Sequence, residues 1–345
     1  MFDHPAFDAH EEVHFFHDEA SGLRGIIAIH STARGPAAGG CRMWNYESGE
    51  AAYRDALRLS HGMSYKNAMA DLELGGGKAV IWGNSRTDKT PELFRAFGRA
   101  IETLKGRYYT AEDVGISPSD LAYAAEETKF VAGLETGVAA SGDPSPVTAE
   151  GVFRGIGVAA RHAFGSESVS GKRVAVQGVG HVGADVVRKL VAAGAEVMIA
   201  DIAEDQLQTL SKETGAQIVP KDDILFLDAD ILSPNALGAI LNEDSLPKLK
   251  CKVIAGGANN QLSRPEIGDM LSEMGILYAP DYVINGGGII NVAAEISGTY
   301  DPAWVDGKLS KLMETLDEVF TISSQKTKAT NRVADDIARL RIGRS

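Results

Sequence analysis

The stretch KRVAVQGVGHVGADVVRKLVAAGAEVMIAD, residues 172–201, constrains the fold more than any other part of the chain. A β-branched run leads into glycines at 178, 180 and 183, then an amphipathic helical pattern, then a second apolar run. The alternation continues through a helical AEDQLQTLSKETG to short strands at ADILS, CKVIAGG and ILYAPDYVI, with helical stretches between them. Such β-α alternation predicts a parallel sheet covered on both faces.

The glycine spacing carries chemistry as well as shape. Gly178 permits a tight turn, Gly180 lets the backbone approach a pyrophosphate, and Gly183 lets helix and strand pack closely. The loop Gly178-Val179-Gly180-His181-Val182-Gly183 then delivers a helix N-terminus to the phosphate charge. Asp201, at the end of the next strand, has the spacing of an acid that accepts hydrogen bonds from an adenosine ribose, which favours NAD over NADP. The bland alternative is an ordinary βα turn; strand, helix and acid together favour the cofactor.

A length of 345 residues suggests about two domains. In the first third, LRGIIAIHST (23–32) reads as a strand pair or one long strand, residues 49–72 as a helix, and KAVIW (78–82) as a short strand. Thr90 with Pro91, and Ser117 with Pro118, mark two helix starts. Residues 145–165 read as a long helix ending at a C-cap glycine and bridging the domains. The stretch 302–342 is helical without a strand, and is expected to pack back on a neighbouring domain.

Composition narrows the function classes. A net charge of −13 without any basic stripe argues against nucleic acid. No apolar run reaches the ~18 residues of a membrane span, and the N-terminal stretch has no signal-peptide pattern. Cys41 and Cys251 lack zinc spacing and read as free thiols. A soluble, cytoplasmic protein is the expectation. His4, His10, His14 and His17 crowd the N-terminal stretch, and His10 and His14 could share a helix face. With no third ligand in view they read as surface residues, and no metal is expected.

The second informative stretch is ADLELGGGKAVIW (70–82), where Lys78 follows three glycines and precedes an apolar run. It is not a phosphate-binding P-loop, since Leu72 stands where a glycine is needed and Ala79 where a hydroxyl is needed. Lys66 lies twelve residues upstream, near a helix end. If the turn folds back, two close cations can depress each other's pKa and leave one neutral, able to act as a base. Taken alone, each lysine reads better as a solvated surface charge.

Seven blocks now bear on each other: GPAAGGCRMW (35–44), MSYKNAMADLELGGGKAVI (63–81), RYYTAEDVGIS (107–117), GDPSPVTAEGV (142–152), VQGVGHVG, IAGGANNQL (254–262) and YAPDYVINGGGIINVA (278–293). In this order they closely resemble the leucine, valine and phenylalanine dehydrogenases, a branch of the glutamate dehydrogenase superfamily. The resemblance runs from about residue 10 onward and is nearest to leucine dehydrogenase. It implies an α/β chain of two domains, an N-terminal α/β substrate domain and a doubly wound Rossmann NAD domain, with the active-site cleft between them. The expected boundaries are 1–137 for substrate binding and oligomerisation, 138–320 for NAD, and 321–345 for a C-terminal helix on the N-terminal domain. A homo-oligomer is implied.

The implied reaction is oxidative deamination of an L-amino acid to a 2-oxo acid and ammonia. By the resemblance, Lys66 and the backbone of Gly39 and Gly40 hold the α-carboxylate. Lys78 activates water, Asp113 relays protons at the amino group and helps poise Lys78, and Asn260 orients the amino group. Thr148 and Asn285 contact the nicotinamide carboxamide or its ribose. The glycines before Lys78 let the chain hug the substrate. The chain departs from the family pattern at Asp71 and Glu73, which are expected to face solvent, and at Gly286, expected to loosen its turn.

Ala38 and Val292 replace the groups that pair a glutamate side chain in the superfamily, and an unpaired buried charge costs several kcal/mol. With Ala111 and Ile289 they are expected to form an apolar pocket. Ile289 leans toward leucine, isoleucine and valine; Ala38 opens room for phenylalanine. One methylene discriminates by only ~1–3 kcal/mol, so mixed specificity fits. Two other classes compete. An NAD-sensing regulator would have lost a lysine or the acid, and all three are present. A 2-hydroxy acid dehydrogenase needs a catalytic histidine, and His162 and His181 lack the context.

Overall fold

The computed structural model describes residues 2–134, 142–298 and 300–344. It divides into two units: Met1–Asp143 with Ile289–Asp306 and Ala338–Ser345, and Pro144–Gly288 with Gly307–Ile337.

The first unit is built from β1 (Glu12–Asp18), β2 (Leu23–Ser31), β3 (Ala37–Ala38), β4 (Cys41–Trp44), α1 (Gly49–Met69), β5 (Gly75–Trp82), α2 (Pro91–Glu102), β6 (Tyr108–Tyr109) and α3 (Pro118–Ala125). Its six-stranded sheet runs β1-β2-β5-β3-β6, with β4 also on β5. β5 is the hub, antiparallel to β2 and parallel to β3 and β4. Alternation along β5 sends Ala79 and Ile81 into one apolar core and Val80 toward Ala52, Ala56 and Leu57 of α1 in another. Ser48 caps α1, Thr90 caps α2, and Ser117 with Asp120 forms a capping box on α3.

Several expectations change here. β1 was not anticipated, and it places His14 in a strand, so His10 and His14 share no helix face. His10 is also not a surface residue: it is buried, with Nε2 bonded to Leu57 O at 3.0 Å and Ser60 Oγ at 3.1 Å. Its ring lies 4.8 Å from that of His30, and His30 lies 4.8 Å from His61. Asp8, His30 and His61 bring possible metal-ligating atoms within 4.8 Å of one another, but Arg344 Nη1 is 2.6 Å from His30 Nε2. A guanidinium thus already stands beside these atoms. Arg344 also donates to the carbonyls of Asp8, Ala9 and His30. Burial pushes His30 down to about 3 and His61 to about 4, so both imidazoles stay neutral at pH 7.

The second unit opens with α4 (Ser145–Phe164), which lies wholly within it instead of bridging the units and ends at the left-handed Gly165. Then follow β7 (Arg173–Gln177), α5 (His181–Ala192), β8 (Glu196–Ala200), α6 (Glu204–Thr214), β9 (Gln217–Ile218), β10 (Ile231–Pro234), β11 (Val253–Ile254), α7 (Glu266–Glu273), β12 (Leu277–Tyr278) and α8 (Asp281–Ile284). The sheet order β12-β11-β10-β7-β8-β9 is parallel throughout and is that of a doubly wound Rossmann sheet. The run ILYAPDYVI is a strand only at Leu277–Tyr278; Pro280 breaks it and Asp281–Ile284 is helical. Helices α9 (Gly287–Ile296), α10 (Pro302–Lys326) and α11 (Thr330–Arg341) complete the chain. Among the described residues no helix is long and apolar enough to cross a membrane.

Candidate active site

The register of β5 explains how a lysine comes to sit in the middle of a sheet. β3 pairs with Gly75–Gly76 and β4 with Ala79–Trp82, so the break between them sets Gly39 and Gly40 opposite Gly77 and Lys78. The three glycines are not a flexible approach. All lie in the strand, and a Cβ on any of them would collide: with Ser31 O at 2.0 Å, Ser64 N at 2.1 Å and the Tyr108 ring at 2.7 Å. They let α1 and β6 press against the strand, and that closeness holds Lys78 in place.

Lys78 is 5% exposed, and its ammonium pairs with the Asp113 carboxylate. Burial pushes the Asp113 carboxyl up, but Lys78 and Arg42 beside it, with a hydrogen bond from Val114 N at 2.6 Å, hold it below the usual range. Asp113, half-buried, is thus the acid of an ion pair whose lysine is buried, and it caps no helix. Removing one partner of such a pair strands the other charge.

Gly40 packs against Asp113, since a Cβ there would lie 3.0 Å from the acid's Cβ. Gly39 packs against Gly77 and Met63, and Lys66 follows Met63 by one turn in the last turn of α1. The Gly39 N–H is already given to Tyr109 O at 3.1 Å, which leaves Gly40 as the amide of this pair to consider for an anion. Asn67, next to Lys66, donates to Gly75 O at 2.5 Å and fixes α1 to β5. Glu73 is exposed as expected, while Asp71 is half-buried and pairs with Arg34 at 2.9 Å.

Ala38 and Ala111 are buried, the first completely. Ile289 and Val292 share a face of α9, and Glu295 follows one turn later. Glu295 accepts a 2.6 Å bond from Gly133 N, and Gly133 lies beside Ala111. This clamp brings the α9 face to the Ala111 segment; a glutamate in an apolar helix was its only sequence signal. Lys66, Lys78, Asp113, Gly39, Gly40, Ala38, Ala111, Ile289 and Val292 all belong to the first unit, whereas Asn260 belongs to the second and is exposed, with φ +52°.

The glycine loop is in the second unit. Gly178 has φ +89°, and a Cβ there would meet Ala236 at 2.7 Å; a Cβ at Gly183 would meet Gly178 O at 2.0 Å. Around Gly180, at the start of α5, there is no atom within 4 Å of such a Cβ. A groove of about 380 Å³ lined by Val179, Gly180, His181 and Ala184 runs beside it; Val182 touches Gly257 instead. Asp201 accepts from Val179 N at 2.7 Å and Ala203 N at 2.9 Å, so it braces the loop as well as standing at the strand end. Asn235, which the sequence did not single out, accepts from Gly257 N at 2.9 Å. Thr148 touches Gly288, three residues after Asn285. Asn285 is 5% exposed; its Nδ2 donates to Asn259 Oδ1 at 2.8 Å, while its Oδ1 is buried without a partner. The unfilled acceptor of Asn285 and, separately, the open turn at Gly180 each fit part of a dinucleotide ending in a carboxamide. Gly286 is less loose than expected, because a Cβ there would stand 3.0 Å from Leu312.

The doubly wound sheet and the Lys78–Asp113 pair agree with what the comparisons with known proteins show, an oxidoreductase of the amino acid dehydrogenase class. Residues 10–130 match the model of the Glu/Leu/Phe/Val dehydrogenase dimerisation domain, and residues 197–341 that of the glutamate/leucine/phenylalanine/valine dehydrogenases. The chain is 50% identical to leucine dehydrogenase of Bacillus subtilis (strain 168) over 97% of its own length and 92% of that protein. It is 48% identical to phenylalanine dehydrogenase of Lysinibacillus sphaericus over 84% and 77% of the two chains. The crystal structure of L-tryptophan dehydrogenase from Nostoc punctiforme superposes with a TM-score of 0.86 at 41% identity, covering 97% of this chain and 96% of that one. The chain belongs to the glutamate/leucine/phenylalanine/valine dehydrogenase family, whose members are pyridine-nucleotide-dependent. Gly178–Gly183 and Thr148 fall between the two matched regions, so their reading rests on their own geometry.

Proposed function

We propose that this chain catalyses the reversible, NAD-dependent oxidative deamination of an apolar L-amino acid, with leucine, isoleucine and valine ahead of others. The observation that carries the reading is the pairing of the buried Lys78, opposite Gly39 and Gly40, with Asp113. Lys66, with the Gly40 amide, holds the α-carboxylate. Ala38, Ala111, Ile289 and Val292 surround the side chain, and Asn260 orients the amino group. Lys78 takes a proton from the water that attacks the imine carbon and returns it as ammonia leaves; Asp113 exchanges that proton with the amino group. The glycine loop, Asp201, Thr148 and Asn285 hold the NAD, which supplies a hydride acceptor when bound. An acid at Asp201 supports NAD over NADP.

The test is NADH formation with each of the twenty L-amino acids. Turnover that peaks on leucine, isoleucine or valine is expected, with a loss of about 10²–10⁴-fold in Lys78→Ala. A peak on phenylalanine is the second reading, favoured by the small side chains of Ala38 and Ala111. NAD binding without turnover on any amino acid would point to a regulator. An oligomer of identical chains belongs to the same proposal and is supported by the dimerisation-domain match; sedimentation velocity tests it. The expected boundaries 1–137, 138–320 and 321–345 differ from the two compact units, which place residues 289–306 with the first and 307–337 with the second. The two buried thiols, Cys41 and Cys251, support a reducing, cytoplasmic setting.

A further inference from the structure

Asp113 has a second cationic neighbour that the resemblance did not supply. Arg42 Nη2 lies 3.5 Å from Asp113 Oδ2, the same oxygen that meets Lys78. Arg42 stands on β4 in register with Val80 of β5, two residues along from Lys78, so both cations rise from the α1 side of the sheet. The guanidinium is itself held from the far side. Its Nη1 donates to Asp55 Oδ2 at 3.0 Å; Tyr46 Oη donates to that same oxygen at 2.8 Å, and Arg58 to the other at 3.3 Å.

We propose that Arg42, braced by Asp55, is a positioning residue that holds the Asp113 carboxylate in place against Lys78. The proposal rests on the function given above for that pair. Arg42 lines a cavity of about 820 Å³, so without Asp55 its guanidinium would turn toward open solvent and leave Asp113. A planar fork suits the role: one nitrogen is anchored on Asp55 while another reaches Asp113, which a lysine cannot do with one ammonium. Lys78 and Arg42 are the charged groups in contact with Asp113 among the described residues. The nearby Cys41 thiol and Tyr108 phenol are fully buried, and burial pushes both far up, so neither exchanges protons with Asp113 near neutral pH.

Arg42→Ala, Arg42→Lys and Asp55→Asn test this with two independent readouts. The first is ¹³C NMR titration of the Asp113 carboxyl in the enzyme without substrate, assigned with Asp113→Asn. The second is the pH profile of kcat/KM with the best amino acid, with kcat and KM separated. Arg42→Ala is expected to raise the Asp113 midpoint by about one pH unit and lower kcat about tenfold, with KM within about twofold. Arg42→Lys restores part of both, and Asp55→Asn shows a smaller shift in the same direction. A folded Arg42→Ala whose Asp113 midpoint and pH profile match the parent overturns the proposal, as does a loss confined to KM. If the parent turns over no amino acid, the function falls, and the NMR titration still decides whether Arg42 sets Asp113.

Discussion

The chain contains two glycine runs that look alike as letters and differ as structure. Gly75-Gly76-Gly77 lies inside a central strand with no positive φ, and each glycine is there because a neighbour occupies the space of its side chain. Gly178-x-Gly180-x-x-Gly183 divides its labour. Gly178 meets a backbone angle, Gly183 a close helix, and Gly180 alone faces open space. On the proposed function the first run is a platform beneath Lys78, and the second is the nucleotide receptor, with open space only at its middle member, Gly180. Glycine content therefore marks close approach, and only the surroundings say whether protein or ligand does the approaching.

The largest effect should come from the platform. Gly76→Ala would drive a methyl group into the Ser64 backbone, which cannot move without shifting α1. A loss of about 3 kcal/mol or more is expected in chemical denaturation, and a stable, soluble Gly76→Ala would break the distinction. Acid should separate the two units next. His30 and His61 titrate near 3 and 4 in the folded first unit, against about 6.5 when unfolded, so the unfolded chain binds more protons between those values. Stability is then full above about pH 6.5 and is lost as pH falls toward 4, by at most ~1.4 kcal/mol per pH unit for each histidine. Hydrogen exchange should show first-unit strands losing protection before those of the second. His30→Asn should flatten that slope. The smallest effect is sought at the receptor: Gly180→Ala should leave stability within about 0.5 kcal/mol and weaken NAD binding about tenfold, read by calorimetry. An unchanged NAD affinity would remove Gly180 from the cofactor site.

What could be read from the sequence was whatever depends on near neighbours along the chain. The caps at Thr90 and Ser117, the αL end at Gly165, the β-α alternation and the glycine loop are all set within a few residues, and each stands where its local chemistry puts it. β1 was missed because EVHFFHD carries histidines and acids along a strand paired on one edge only. His10 read as a surface residue because its partners, Leu57 and Ser60, lie about fifty residues away. Arg42 is hidden for a related reason, since its ties to Asp55 and Asp113 join three separate segments, β4, α1 and the stretch after β6. The pairing of Lys78 with Asp113 came from the family resemblance alone, since no periodicity links positions 35 residues apart.

The first unit is assembled from three stretches of chain, with the second unit's residues intervening twice. On a ribosome that order matters. Residues 144–288 carry every strand of the parallel sheet, able to collapse on contacts already synthesised, while the first unit still lacks most of α9 and the α11 end. Arg344, which ties Asp8, Ala9 and His30 together, emerges more than three hundred residues after the segment it fastens. The unit carrying Lys78 thus has its apolar cores in place early, while its last ties, through α9, the α11 end and Arg344, form only after the second unit's chain has been made.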